Sequence, residues 1–257
     1  MTDEVRGFYD GFAAEYELAY GGDWDAVVSR QAEALDRVLA SRVPGARDVL
    51  DCACGIGTQA IGLALRGYRV HGTDLSSEPV ERARREAKRL GADVSFGFAD
   101  FRDLSGVPGT YDAVLCCDNA LPHLLETEEV VGALAEMRAK LRPGGVLVVT
   151  LRDFDEALRE RPALAPTALV PGPPRRVLVR MHDWDDERPE YVVRYVILTE
   201  TSDGWSAREL SMRYRAYTSA ETEAAARAAG FDSIEWLSKE ERSGIAQRVL
   251  VASRLPT

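Results

Sequence analysis

Between Val49 and Leu151, short apolar runs alternate with longer segments whose apolar residues recur every three or four positions. The short runs, 49–52, 68–73, 94–98, 111–117 and 146–151, predict strands, several apolar enough to be covered on both faces. The longer segments, 58–65, 78–90 and 127–141, predict helices with one apolar stripe. Regular alternation with short connections implies a parallel sheet clothed by helices on both faces.

The flanks follow other periods. Phe8, Tyr9, Phe12, Tyr16 and Tyr20 recur at intervals of one to four, and the pattern predicts one helix over 5–20 with an aromatic face packed on the domain. Gly21 and Gly22 break it. Asp23, Trp24 and Asp25 can cap a second helix, which Pro44 and Gly45 end. After Asp155, Pro162, Pro166, Pro171, Pro173 and Pro174 predict an irregular link. Runs at 176–184, 191–201 and 205–217, joined by short turns, predict antiparallel pairing. Ser219 is placed to cap a helix to 229, and strands at 234–237 and 248–252 finish the sheet. The expected fold is α/β: a doubly wound, Rossmann-like, mostly parallel sheet with an N-terminal helical lid and an inserted three-stranded antiparallel flap. Its expected divisions are 1–45 (lid), 46–155 (core), 156–217 (flap) and 218–257 (return to the core sheet).

Composition narrows the partners. Among 257 residues, 42 acids outnumber 32 bases, giving a formal charge of -10. Such a surface repels phosphate backbones, which argues against nucleic acid. The basic run Arg82, Arg84, Arg85 reads as a solvated helix face. Cys52 and Cys54, and Cys116 and Cys117, lack the two-residue gap of a zinc knuckle and read as buried thiols in a reducing compartment, with no metal site. Without a signal-like N-terminus or an apolar run of membrane length, a cytoplasmic protein that does not bind membranes is expected. A homo-oligomer stays open.

The candidate chemistry centres on Asp51, Gly55 and Gly57. A strand ending in an acid runs into two glycines and then a helix. Glycine lets the backbone turn sharply and lets a ligand approach, while the helix start offers free N–H groups. Gly55, Gly57 and Ala60 also fit the relaxed dinucleotide fingerprint. Asp51 weighs against a pyrophosphate, because like charges repel in a partly dry site. It suits an ammonium group, as on S-adenosylmethionine. Asp74, nineteen residues beyond Gly55, can accept from a ribose diol. Asp100 can accept from an adenine amine or act as a turn residue.

The stretch from Asp51 to Gly57, then Asp74, Ala99-Asp100-Phe101, Cys117-Asp118-Asn119 and the run from Leu141 to Gly145 resemble, in order, the motifs of class I S-adenosylmethionine-dependent methyltransferases. The resemblance implies that Gly55 and Gly57 hold the methionyl part. It places Asp74 and Leu75 at the ribose and Asp100 and Phe101 at the adenine. Asp118 falls to either the cofactor or the substrate pocket. The runs from Asn119 to Leu124, from Leu151 to Asp155 and from Trp24 to Leu39 further resemble glycine and sarcosine N-methyltransferases. That narrower likeness implies Trp24 and Arg30 on the cofactor side, Arg30 at its carboxylate. It implies Arg152 on a substrate carboxylate, with Asn119, His123 and Tyr217 near the acceptor. The pattern departs at Asp153 and Phe154, where the family has asparagine and tyrosine.

Arg152 has an independent rationale, since a guanidinium grips a carboxylate with two parallel bonds; the competing reading is an ion pair with Asp153 or Asp155. His123 reads either as a general base or as a residue that orders its loop. The expected function is S-adenosylmethionine-dependent methylation of a small molecule, at the nitrogen of a glycine-like amino acid or small amine. O- or C-methylation of a natural-product intermediate is the alternative. A nicotinamide-dependent oxidoreductase and a non-catalytic S-adenosylmethionine sensor are the other classes.

Overall fold

The alternating core segments assemble as a doubly wound sheet. The computed structural model describes residues 2–255; Met1, Pro256 and Thr257, at the ends of the expected divisions, lie outside them. Helices α1 (Thr2–Phe12) and α2 (Trp24–Arg42) come first. Then follow β1 (Asp48–Asp51), α3 (Thr58–Leu65), β2 (Arg69–Asp74), α4 (Ser77–Leu90), β3 (Val94–Phe98), β4 (Tyr111–Cys116), α5 (Thr127–Ala139) and β5 (Leu141–Leu151). Helix α6 (Phe154–Glu160) leads into β6 (Leu164–Val170), β7 (Arg176–Trp184), β8 (Glu190–Thr201) and β9 (Gly204–Arg215). The chain returns through α7 (Ser219–Ala228), β10 (Ser233–Trp236) and β11 (Arg248–Ser253).

The seven-stranded sheet has the order β3-β2-β1-β4-β5-β11-β10. Strands β1 to β5 are parallel, β11 runs antiparallel to β5, and β10 antiparallel to β11. From β1 the chain winds outward through β2 and β3, then crosses to β4 on the other side. Ligands of open α/β sheets sit at that switch point, beyond the carboxyl ends of the strands. Two apolar clusters sandwich the sheet. One takes Leu35 and Leu39 of α2, Leu63 of α3 and Val80 of α4. The other takes Phe8 and Phe12 of α1, Leu134 of α5, Ala226 of α7 and Leu178 and Tyr191 of the flap. The basic run lies on α4. Arg84 and Arg85 are exposed, while Arg82 donates to the Ala13 carbonyl at 2.6 Å and pairs with Glu17 at 2.9 Å, tying the N-terminal segment to the core. Among the described residues, no helix is long and apolar enough to cross a membrane.

Several expectations need correction. The flap has four strands, in the order β6-β7-β8-β9. Residues 164–170 form the edge strand β6, and the register slips between Ala165 and Ala168, around Pro166. Proline lacks an N–H, but an edge strand at a bulge can accommodate it. The aromatic N-terminal segment is also not one helix: α1 stops at Phe12 and a 3-10 helix continues from Ala13 to Tyr20. The cap of α7 is Thr218, whose side chain exchanges hydrogen bonds with Glu221 in a capping box. Helix α6, which the sequence did not signal, is capped by Asp153 accepting from the Glu156 N–H at 3.2 Å.

Candidate active site

The turn after β1 builds the first wall. Gly55 has φ +52° and Gly57 φ +87°, both left-handed. Gly57 does not face the ligand space. A Cβ there would lie 2.8 Å from Ile61 Cδ1 and 3.2 Å from Ala83 Cβ, so its lack of a side chain lets α3 pack against α4. The Gly55 N–H donates to Asp74 Oδ2 at 2.9 Å, and the Ser76 N–H donates to Asp74 Oδ1 at 2.9 Å. Burial raises the pKa of Asp74 above the ordinary value while these N–H groups pull it down. Gly55, Asp74, Leu75, Asp100, Phe101 and Asp118 border one cavity of about 820 Å³, which Tyr9, Tyr16 and Tyr20 cover.

Asp51 lies beneath this wall and does not line the cavity. Its carboxylate is fully buried. The backbone N–H groups of Ala53 and Ala60 face it and favour the charged form, but neither oxygen has a partner in good hydrogen-bond geometry. Burial, with the charges of Asp74 and Asp118, pushes its pKa up to about 8. Asp100 reaches the cavity already engaged. Burial opposes its charge, yet the Arg102 guanidinium at 2.6 Å outweighs that and holds its pKa below the ordinary value. Trp24 does not reach the cavity at all. Its ring packs with Val28, Ile56 and Ile61, and its Nε1–H donates to Thr58 Oγ1 at 2.8 Å. It positions the start of α3 from behind.

A second, wider cleft of about 2250 Å³ opens between the core and the flap. The two spaces share Tyr9, Tyr16, Tyr20 and Asp118. Asp118 gathers three distant segments there. Its Oδ2 accepts from Tyr20 at 2.7 Å and from Gln59 at 2.9 Å, and its Oδ1 accepts from Gln247 at 2.9 Å. Asp118 and Asn119 both have positive φ, +54° and +66°, a strained pair for residues with side chains. Thr150 accepts from both of their N–H groups, at 2.8 and 3.1 Å. Asn119 Oδ1 accepts from the Arg152 N–H at 2.5 Å. The turn therefore sets the start of the Arg152 segment. Arg30 borders this wider cleft, exposed, and not the first cavity.

Arg152 points into the wide cleft. Among the described residues it has no carboxylate within ion-pair distance; Asp153 and Asp155 approach Arg248 instead, at 3.9 and 3.2 Å. Its Nη1 lies 3.3 Å from His182 Nε2. His182 Nδ1 lies 3.1 Å from the Pro162 carbonyl. A carbonyl can only accept, so Nδ1 carries the proton and Nε2 accepts from Arg152. Burial and the Arg152 charge lower the His182 pKa to about 4, which keeps the ring neutral. His182 was not anticipated, although a signal exists: in β7, strict alternation puts Leu178, Arg180, His182 and Trp184 on one face, with two polar residues where apolar ones are expected.

His123 borders the first cavity. Its Nε2 lies 2.9 Å from the Tyr9 hydroxyl and its ring stacks on Tyr214 at 4.6 Å. Burial lowers its pKa to about 3, far too low for a base near neutrality. Its loop-ordering contact is with the N-terminal helix rather than the backbone. Tyr217 lines neither space. It is buried, donates to the Leu124 carbonyl at 2.7 Å and lies under Arg215. β9 ends at Arg215, so the chain turns before Tyr217 and the cleft receives Tyr214 in its place.

Residues 49–145, which hold the ordered loop, the acids after β2 and β3 and the left-handed turn after β4, match the family model of a methyltransferase domain. That match covers under half of the chain. The glycine/sarcosine N-methyltransferase of Parasynechococcus marenigrum (strain WH8102) is 34% identical over 137 residues, which cover 53% of this chain and 48% of that protein. The match spans about half the length of that relative. Among solved structures, Streptomyces venezuelae DesVI is 26% identical, with a TM-score of 0.75 over 95% of this chain and 98% of the other. An amino pentose methyltransferase of Micromonospora echinaspora bound to S-adenosylmethionine is 24% identical, with a TM-score of 0.74 over 93% and 96%. That likeness establishes the fold. Asp74 fits a ribose diol: its carboxylate borders the cavity and each oxygen accepts one backbone N–H, which leaves it room to accept from hydroxyls. An uncharged or cationic group suits such an acid better than a phosphate does.

Proposed function

We propose that this protein transfers a methyl group from S-adenosylmethionine to the nitrogen of a small-molecule acceptor. The observation that carries the reading is the meeting of two unlike spaces at Asp118. One presents carboxylates suited to a nucleoside; the other presents Arg152 without a carboxylate partner. The cofactor, when bound, supplies an electrophilic methyl on a sulfonium. The residues of this chain bind, orient and exclude water. Asp74 accepts from ribose hydroxyls, Gly55 lets the ligand approach, and Tyr9, Tyr16 and Tyr20 close the space above. Arg152, held by Asn119 and His182, clamps an acidic group of the acceptor so that its amine faces the shared wall. As the N–C bond forms and the C–S bond breaks, the nitrogen becomes cationic, and its proton passes to solvent. Neutral His123 anchors Tyr9 and takes no proton.

Nitrogen is favoured because the Parasynechococcus relative is named a glycine/sarcosine N-methyltransferase. An acidic surface and four free, buried thiols support a cytoplasmic location. The test is incubation with methyl-labelled S-adenosylmethionine and a panel of amines, amino acids, sugars and phenols, read by mass spectrometry. Label on oxygen or carbon would move the acceptor class. Absence of cofactor binding by calorimetry, or binding of NAD in its place, would overturn the reading.

A further inference from the structure

We propose that Arg180 is a second anion contact in the wide cleft, so that the acceptor carries two anionic groups and not the single carboxylate of a glycine-like molecule. This rests on the acceptor-side reading of Arg152 and extends it. Arg180 and His182 stand two residues apart on the same face of β7, roughly 7 Å at strand spacing, and both line the cleft. Arg152 meets His182 from the core side, so two guanidiniums flank one histidine.

Neither guanidinium has a carboxylate partner among the described residues. Arg180 donates through Nη2 to the Pro166 carbonyl at 2.9 Å and lies beside the Tyr195 hydroxyl, while its Nε is buried without a partner. The flap otherwise pairs many of its arginines: Arg175 with Glu200, Arg176 with Glu17, Arg194 with Asp183 and Arg215 with Glu221. A shortage of acids is no explanation in a chain with a formal charge of -10. The acids of the cleft are committed or solvated. Asp118 serves three donors, Asp153 caps α6, and Glu156 and Glu160 are exposed. Arg180 is half-buried and its Nε lacks a partner, and an anionic ligand would supply one.

The experiment is calorimetry on the full chain, with and without S-adenosylhomocysteine, using acetate and two dianions, glutarate and the P1,P2-dimethyl ester of pyrophosphate, as probes. The wild type is expected to bind at least one dianion about tenfold more tightly than acetate, as a second charge-assisted contact gives. Arg180→Gln should bring that dianion to within about threefold of acetate and leave S-adenosylhomocysteine affinity unchanged, whereas Arg152→Gln should weaken all the anions that bind. Glutarate against the pyrophosphate ester tells a dicarboxylate from a phosphate anion. Equal, weak or undetectable binding of both dianions and acetate by the wild type overturns the proposal. So does an equal loss for acetate and dianion in Arg180→Gln. If that variant does not fold, Arg180→Lys, which keeps charge but loses the planar fork, should show a smaller loss confined to the dianions; no such loss also overturns it. Loss of S-adenosylhomocysteine binding by the wild type would instead defeat the methyltransferase reading, and the titrations made without that ligand still decide the role of Arg180.

Discussion

Asp51→Asn should stabilise the free protein, and by an amount that grows with pH. The wild-type carboxyl is fully buried and its pKa rises from an ordinary 3.8 to about 8. The folded protein therefore holds a proton that the unfolded chain releases near pH 4. Unfolding releases that proton between about pH 4 and 8, so stability falls as pH rises through this window and the loss is complete above it. At about 1.4 kcal/mol per pH unit, the interval corresponds to about 5–6 kcal/mol, an upper figure because ionisation would draw in water or shift Asp74 and Asp118. Asparagine has the same shape and never ionises. Its amide lacks partners as the acid does, a cost of about 1–3 kcal/mol that does not depend on pH. The difference in stability between variant and wild type should thus increase by several kcal/mol between pH 4.5 and pH 8. Urea denaturation of both proteins at four pH values measures it. A difference that stays constant across the window would mean that Asp51 is ionised in the folded state and that its environment is more polar than the unpartnered oxygens indicate.

Four further outcomes are expected. Asp74→Ala should weaken S-adenosylmethionine binding by about 1–3 kcal/mol, and an unchanged calorimetric Kd in a folded variant refutes its role. Arg152→Lys should lower kcat/KM for an acidic acceptor well beyond tenfold, roughly 2–5 kcal/mol, with cofactor affinity preserved; equal losses for acceptors with and without the acidic group would make the residue structural. Gly57→Ala should cost about 1–3 kcal/mol of stability, because φ is +87° and the new Cβ meets Ile61; a thermal midpoint matching wild type would contradict that packing. His123, lowered by burial from 6.5 to about 3, stays neutral in the folded state while the unfolded chain gains its proton below about pH 6.5, so this site removes stability as pH falls from there towards 3. Its imidazole NMR signal should be flat from pH 5 to 8, and a midpoint near 6.5 would show that the ring is solvated.

The sheet was legible in the sequence because two-sided burial leaves little room for polar residues: the inner parts of β4 and β5 read as unbroken apolar runs. The wall of the first cavity was legible because glycines and acids at strand ends are constrained by local backbone geometry, as at Gly55 and Asp74. Trp24 and Tyr217 were harder. Whether an aromatic ring lines a space or backs a wall depends on where the helix or strand stops, and β9 stops two residues before Tyr217. β6 was hidden by Pro166, since proline signals a loop unless an edge with a bulge receives it. The wide cleft was least legible. Its Arg180 and His182 gain meaning only when the flap folds over and presents that face to Arg152, a relation between segments that no local pattern encodes.

The two ends of the flap are fastened together. Asp155, just beyond the last core strand before the insertion, accepts from the Ser219 N–H at 3.2 Å and from its hydroxyl, across a sequence separation of 64. The core therefore sees a closed stem, whatever lies between. Closure entropy changes slowly with length, by only about 0.6 kcal/mol for each doubling, so that stem can carry inserts of different size at little expense to the sheet beneath. The part of the wide cleft's lining that the flap supplies, Arg180 and His182 included, is then a property of a cassette. Exchanging everything between the Asp155–Ser219 clasp for the corresponding stretch of another member of the fold should replace that part of the lining while Arg152, outside the clasp, stays with the core.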